Sequence, residues 1–172
     1  MSIITKYSGP SKFYFYKLLE EMINIGNLQE TNKNILDYGC GNKILSKILY
    51  NKNVLNYDIN PLYSDYKNID NLEFDIVIMN HVLMYLEVNE IINLFNKINS
   101  ISPYCNYIIG IGKQNFVSKI AKFIALEFKA HKYTKTTYKE QLNIINKNLN
   151  IIKYKKNIYY MTDIYLTTNK AI

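Results

Sequence analysis

The chain has 172 residues and a net charge of +7, and 48% of its residues are hydrophobic. This length favours a single domain, spanning residues 1–172, that buries a sizeable core. No apolar run approaches the roughly 20 residues of a membrane-spanning helix, and the first residues lack the apolar segment of a signal peptide. Two cysteines, Cys40 and Cys105, are too few for a disulfide framework. We therefore expect a reduced, cytoplasmic protein without a membrane span.

The positive charge leaves two interpretations open. It could mark a surface for nucleic acid or another anionic partner. However, the chain contains no arginine, which is the residue best suited to bidentate phosphate contacts. Lysine, asparagine, isoleucine and tyrosine are all abundant, as an AT-rich genome would encode. The composition favours codon bias as the source of the charge, so a nucleic-acid partner is disfavoured although still open.

Residues 1–30 predict a helical lead-in. Gly9 and Pro10 are typical of a turn, and Ser11 can cap a helix over about 12–26. A polar stretch then leads to the first strand, at about 34–37.

The next segment has the pattern of a strand, a glycine turn, a helix and a second strand. The first strand ends at Asp37, the turn contains Gly39 and Gly41, and the second strand, at 54–58, ends at Asp58. Two glycines allow the backbone to approach a ligand closely. An acid about 20 residues beyond such a turn is where nucleotide-binding α/β sheets bind ribose hydroxyls. The pattern therefore predicts an adenosine-containing ligand.

The connection after the second strand is unusually short. Residues 59–73 are all that separate Asp58 from the next strong strand, and they are too few for a full helix and a strand. We expect a turn or a single helical turn there, with a short strand at about 66–69.

Strands alternate with helices in the rest of the chain. The predicted strands are 74–79, 107–111, 149–154 and 159–167, and the predicted helices are 88–100, 115–132 and 136 or 137 to 147. This alternation predicts an α/β fold, a Rossmann-like and mostly parallel sheet with helices on both faces. The last two strands are expected to form a C-terminal antiparallel pair, and the segment after strand 2 is shortened.

The glycine turn does not match two common phosphate-binding patterns. A dinucleotide-binding turn would have its third glycine at Ile44. The P-loop pattern fails as well, because an earlier glycine and a Ser or Thr after Lys43 are missing. A glycine turn that lacks a phosphate-binding pattern suits a ligand without phosphate groups, such as S-adenosylmethionine.

Four segments, in this order, resemble motifs of the class I S-adenosylmethionine-dependent methyltransferases. Residues 35–41 look like the acid-x-Gly-x-Gly turn, and residues 56–61 look like the segment whose acid binds ribose. Residues 74–86 look like motif IV of the small-molecule methyltransferases, and residues 131–149 are similar to a segment near the substrate pocket. The resemblance covers about 33–168. It departs from the family at Lys43, where a third glycine is usual.

The resemblance implies a site for S-adenosyl-L-methionine. Asp58 would bind the ribose hydroxyls, Asp37 would order the turn or contact the cofactor's ammonium group, and Asp65 would contact adenine, with Asp70 as second choice. The expected cofactor-binding residues are Asp37, Gly39, Cys40, Gly41, Asp58, Ile59, Asp65, Asn80 and His81.

The acceptor side of the site is expected to include both histidines. His81 and His131 are candidate general bases, and His81 alternatively only lines the cofactor pocket. Tyr85 and Tyr133 would line the substrate pocket, and residues 112–136 form a possible substrate lid. Two histidines without cysteines or acids at ligand spacing predict no metal site.

Together these features predict methyl transfer to an O, N or C nucleophile of a small molecule. Residues 80–83 lack the Asn/Asp-Pro-Pro-Tyr turn of enzymes that methylate DNA adenine or protein glutamine. An RNA methyltransferase, supported by the charge, is one alternative. A non-catalytic protein that binds S-adenosylmethionine or a partner is another, and a dehydrogenase is disfavoured by Ile44.

Overall fold

The computed structural model of the protein describes residues 9–113 and 134–170. Its helices are α1 (Gly9–Gly26), α2 (Ile44–Ile48), α3 (Val88–Ile101) and α4 (Tyr138–Asn148), with a 3₁₀ helix at Leu83–Tyr85. Its strands are β1 (Ile35–Tyr38), β2 (Val54–Tyr57), β3 (Ile76–Asn80), β4 (Asn106–Gly112), β5 (Leu149–Ile158) and β6 (Thr162–Asn169). The predicted helix at 115–132, His131, Tyr133 and most of the possible lid at 112–136 lie outside the described residues.

The strands form one mixed sheet in the order β2-β1-β3-β4-β6-β5. Strands β1 to β4 are parallel to one another, whereas β6 is antiparallel to both β4 and β5. This confirms the predicted mostly parallel sheet with a C-terminal antiparallel pair. The carboxyl ends of β1 to β4 meet at one edge of the sheet, and the first residues of β6 lie at that same edge.

Helices cover both faces of the sheet, as predicted. Adjacent strand residues point to opposite faces, so Val77 packs in the same buried cluster as Phe95 of α3, on the face that α4 also covers. Ile78 instead packs with Leu18 of α1 and Leu45 of α2. Helix α1 runs along β4, and its first turns lie near the carboxyl edge.

Helices α3 and α4 begin with capping boxes. Thr137 accepts the backbone N–H of Glu140, and the Glu140 side chain accepts the N–H of Thr137. Glu87 and Glu90 are paired in the same way at the start of α3. Each box satisfies backbone donors that have no partner within the helix, and Thr137 is one of the two positions at which the sequence predicts that this helix begins.

The expected strand at 66–69 is wrong. Residues 59–73 form turns, with local hydrogen bonds such as Tyr63 N to Asn60 O at 3.0 Å and Leu72 N to Ile69 O at 3.2 Å. Ile69 is buried in the core, but its neighbours in this segment are exposed. A single buried side chain cannot set the alternating register of a strand. Within the described residues, β2 is therefore the last strand on this side of the sheet.

Candidate functional site

The glycine turn after β1 is held against the end of β2. Gly39 N and Cys40 N both donate to the carbonyl oxygen of Tyr57, at 2.7 and 3.1 Å. Gly39 and Gly41 have positive φ angles, 83° and 48°. A Cβ on Gly39 would lie 2.5 Å from Cγ2 of Val82, whereas a Cβ on Gly41 would meet nothing within 4 Å. Gly39 therefore permits close packing, and Gly41 faces open space.

Lys43 follows the glycine turn and adopts a backbone conformation that favours glycine. Its backbone is left-handed, with φ 55° and ψ 42°, which costs a side-chain-bearing residue about 1–2 kcal/mol. Its N–H donates to the carbonyl of Cys40 at 2.9 Å, and its ammonium pairs with the Asp65 carboxylate. The side chain therefore extends toward the loop after β2.

Asp58 joins that loop to the glycine turn. Its Oδ2 accepts the N–H of Gly41 at 3.0 Å, and its Oδ1 accepts the N–H of Asn60 at 2.9 Å. The carboxylate is therefore held over the turn at the end of β2. Two apolar side chains in the following loop are strongly exposed, Ile59 at 89% and Leu62 at 83%.

Asp37 is a buried carboxyl group beside this turn. It is 6% exposed, and burial, assisted by the negative charge of Asp58, raises its pKa to about 7. Within residues 9–113 and 134–170, no hydrogen bond reaches its carboxylate. A buried carboxylate that accepts no hydrogen bond is stabilised by a cation placed next to it.

Cys40 fills the turn as a neutral thiol. Its Sγ donates to the carbonyl of Tyr63 at 3.5 Å. Burial, with the nearby carboxylates of Asp37 and Asp58, raises the pKa of the thiol to about 12. Because the thiolate is the reactive form, a thiol with a raised pKa is a poor nucleophile at neutral pH.

The two acids considered for the adenine contact already have partners. Asp65 pairs with Lys43 through Oδ1 and accepts Asn56 Nδ2 at 2.9 Å through Oδ2. Asp70 is exposed and lies 2.6 Å from the ammonium of Lys97. The adenine role of Asp65 stays a prediction.

Asn80 and His81 mark the end of β3, as predicted. In the part of the chain that the structure describes, the buried Oδ1 of Asn80 has no hydrogen-bond partner. A Cβ on Gly110 would lie 3.1 Å from it, so glycine at that position leaves room for the amide. His81 has a positive φ of 58°, and its N–H donates to the carbonyl of Gly110 at 3.0 Å.

The His81 ring lies between β6 and α1. Its Nε2 is 2.8 Å from Oγ1 of the buried Thr162, and that hydroxyl also contacts the Tyr14 hydroxyl. The Phe15 ring packs edge-on against the imidazole, with centroids 5.8 Å apart. A Cβ on Gly112 would lie 3.1 Å from His81 Cε1. Sequence reasoning named His81 as a candidate site residue but did not name its contacts Thr162 and Tyr14, which are remote in the chain.

An ion pair with a buried carboxylate and a partly exposed lysine lies on the opposite face of the same edge. Lys113 Nζ is 2.8 Å from Oδ1 of Asp163, whose side chain is 1% exposed. Tyr138 donates its hydroxyl to Asp163 Oδ2 at 2.6 Å and lies 3.2 Å from the Tyr165 hydroxyl. Burial raises the pKa of Tyr138 far above its ordinary value, so this phenol remains a donor. Sequence reasoning did not predict this cluster, because three separate segments contribute to it: the residue after β4, the first residue of α4 and strand β6.

Tyr85 lies in the 3₁₀ helix between β3 and α3 and is half-buried. The turn is joined to the start of α4, since Thr136 Oγ1 donates to the carbonyl of Leu83 at 2.9 Å and Lys135 N donates to that of Met84 at 2.8 Å. Among the described residues, no group of three or more His, Cys, Asp and Glu side chains could hold a metal ion.

The structure is similar to solved proteins that include two methyltransferases. Magnesium protoporphyrin IX methyltransferase from Synechocystis PCC 6803, with bound SAH, matches with a TM-score of 0.64 and 14% identity, over 96% of this chain and 90% of that one. The N-methyltransferase NodS from Bradyrhizobium japonicum, also with SAH, matches with a TM-score of 0.64 and 11% identity, over 92% and 88%. The PH0226 protein of Pyrococcus horikoshii matches with a TM-score of 0.69 and 13% identity, over 97% of this chain and 95% of that one.

The chain therefore has the fold of the class I S-adenosylmethionine-dependent methyltransferases, which confirms the resemblance at the level of the fold. No family model matches the sequence, and no curated protein is similar to it at the sequence level. In the described part of the chain, no helix has both the length and the apolar composition needed to cross a membrane.

Proposed function

We propose that the protein binds S-adenosylmethionine at the carboxyl ends of β1 and β2 and transfers its methyl group to a small molecule. The observation that carries this proposal is the buried Asp37 carboxylate beside the open backbone of Gly41. Ligands of open α/β sheets bind outside the carboxyl ends of the strands. Solved methyltransferases with SAH share the fold.

The residues present fit two polar groups of this cofactor, its ammonium group and its ribose hydroxyls. The ammonium group of its methionine part is the cation that would stabilise the Asp37 carboxylate, which has no hydrogen bond within the described residues. Asp58, held in place by Gly41 N and Asn60 N, would accept the two ribose hydroxyls. A carboxylate retains acceptor capacity after two such contacts, because each oxygen has two lone pairs.

The apolar side chains after Asp58 fit the adenine ring. Ile59 is 89% exposed directly beyond the ribose-binding acid. Covering its side chain with a flat aromatic base would remove apolar surface from water, which is favourable. We assign Ile59 to one face of adenine.

The acceptor would lie at the carboxyl ends of β3 and β4. S-adenosylmethionine supplies a methyl group already activated on a sulfonium, so the protein's task is to align the nucleophile and exclude water. Asn80, His81 and Tyr85 line this part of the edge. We propose that His81 positions the acceptor or takes its proton, and that its contact with Thr162 orients the ring.

Titration calorimetry with SAH tests the binding step. We expect the wild-type protein to bind, and Asp58→Asn to weaken the affinity at least tenfold, because the neutral amide is a poorer acceptor for two hydroxyls. Glu30→Ala, an exposed acid outside the site, is the control and should bind as the wild type does. No binding of SAH or S-adenosylmethionine by the folded wild-type protein would refute the proposal.

A second variant separates binding from folding. Ile59→Ser removes an exposed side chain, so the melting temperature should stay constant while the affinity for SAH falls several-fold. Tyr104→Ser is the matched control, since Tyr104 is 94% exposed and precedes β4, at the opposite edge of the sheet. Equal affinity in both variants would remove Ile59 from the adenine site.

An RNA acceptor is a second candidate, favoured by one surface feature. Strand β5 exposes Lys153, Tyr154 and Lys156, and the Lys156 ammonium lies 4.9 Å from the centroid of the Tyr154 ring. Basic and aromatic side chains together are typical of single-stranded nucleic-acid sites. Tight RNA binding that weakens steeply with salt would favour this acceptor over a small molecule.

A further inference from the structure

We propose that Lys43 and Asp65 form a latch that positions residues 59–65 for cofactor binding. This role for Lys43 deepens the proposed function and rests on it. The Lys43–Asp65 latch consists of the ion pair itself and of Asn56, which holds Asp65 in place.

Asp65 is fixed from two directions. Its Oδ1 pairs with the Lys43 ammonium, and its Oδ2 accepts Asn56 Nδ2 at 2.9 Å. Its backbone N–H also donates to the carbonyl of Asn56 at 3.0 Å. Asn56 is 6% exposed and lies within β2, so it connects the carboxylate to the rigid part of the sheet.

The latch closes the loop onto the glycine turn. At the start of the loop, Asp58 accepts the N–H of Gly41 at 3.0 Å. In the middle, Cys40 Sγ contacts the carbonyl of Tyr63 at 3.5 Å. At the end, Asp65 pairs with Lys43. The loop is thus attached along its length to the turn that is proposed to bind the cofactor.

The loop needs such attachments because of its place in the sheet. In the described residues no strand pairs with the outer edge of β2, so no neighbouring strand supports residues 59–65. The same loop exposes Ile59 at 89% and Leu62 at 83%. Apolar side chains that point away from the core need an ordered backbone to present them as a surface for a ligand.

Lys43 itself gives a second argument. A glycine would adopt the left-handed backbone of this position without strain, whereas lysine adopts it at a cost and brings an ammonium that reaches Asp65. The pair is partly exposed, with side-chain exposures of 32% and 45%. Such pairs contribute little to global stability, so the effect of the latch should appear in the order of the loop and in cofactor affinity.

The test compares Lys43→Met, Lys43→Gly, Asp65→Asn and the Lys43→Met/Asp65→Asn double variant in SAH titrations. We expect each single variant to weaken SAH binding three- to tenfold, and the double variant to bind no more weakly than either one. Lys43→Gly should behave like Lys43→Met, because the side chain rather than the backbone provides the effect. Lys47→Met is the control, a lysine of the helix that follows Lys43, whose ammonium contacts Asn42 O instead, and it should bind within twofold of the wild type.

The outcomes separate this inference from the proposed function. Absence of SAH binding by the wild type would refute the proposed function, and the latch with it. Wild-type binding that the Lys43 and Asp65 variants retain within twofold would refute the latch alone. A purely structural ion pair would lower the melting temperature of the variants without changing their affinity for SAH, and that result would also overturn the proposal.

Discussion

Asp37 and Asp58, at the ends of neighbouring strands β1 and β2, are close enough for the charge of Asp58 to raise the pKa of the buried Asp37 carboxyl. Burial is the larger cause, and together they raise this pKa to about 7. Near neutral pH the site therefore holds a carboxyl group that is readily ionised by an arriving cation. Two predictions depend on this relationship.

The first concerns stability. Because its folded-state pKa is raised, Asp37 holds a proton between about pH 4 and pH 7 that the unfolded chain has lost, so its contribution to stability falls as pH rises through this window. Asp37→Asn removes the buried charge and should stabilise the protein at pH 8 by up to about 4 kcal/mol. At pH 4 the wild type and Asp37→Asn should have nearly equal free energies of unfolding. Urea unfolding at both pH values measures this, and an equal difference at each pH would contradict it.

The second concerns cofactor binding. If the ammonium group of the cofactor pairs with the Asp37 carboxylate, binding requires an ionised Asp37. The affinity for SAH should then be about tenfold lower at pH 6 than at pH 8, since each pH unit below the pKa removes most of the carboxylate. Asp37→Asn should bind weakly with no such pH dependence. Calorimetry at both pH values checks this, and a pH-independent wild type would argue against the pairing.

The third prediction compares the contributions of Gly39 and Gly41 to stability. Gly39→Ala combines a positive φ with a Cβ 2.5 Å from Val82 Cγ2. We therefore expect the free energy of unfolding to fall by about 2–5 kcal/mol. Gly41→Ala, with open space around the Cβ, should lose only about 1–2 kcal/mol. Chemical unfolding measures both. Gly39→Ala/Val82→Ala should recover part of the loss through relief of the clash, and no recovery would assign the whole effect to backbone strain.

Much of this fold follows from patterns that are local in the sequence. The strands with buried faces, the turn of Gly39 and Gly41, and the cap at Thr137 each depend on residues within one element, so alternation and spacing predict them. The prediction of a strand at 66–69 was wrong, because Ile69 alone provides a buried contact there. Asp58 is a candidate site residue from the sequence alone because its distance from the glycine turn is itself a sequence feature.

Contacts between remote segments were not predictable in this way. Thr162 meets His81 because β6 is antiparallel to β4, which places the start of β6 at the same edge of the sheet as the end of β3, one strand away. The left-handed backbone of Lys43 leaves no trace in residue type, since lysine does not favour that conformation. These features depend on strand order and register, which a single sequence specifies only weakly.

The last prediction concerns the ion pair of Lys113 with the buried Asp163 carboxylate. Asp163→Asn removes a charge partner of Lys113 and weakens an acceptor of the Tyr138 hydroxyl, so we expect the free energy of unfolding to fall by up to about 3–5 kcal/mol. Lys113→Met should also destabilise, because it removes the ammonium that compensates a carboxylate only 1% exposed. In the double variant neither charge remains, and its loss should be clearly smaller than the sum of the single losses. Additive losses in urea unfolding would show that the two side chains act independently.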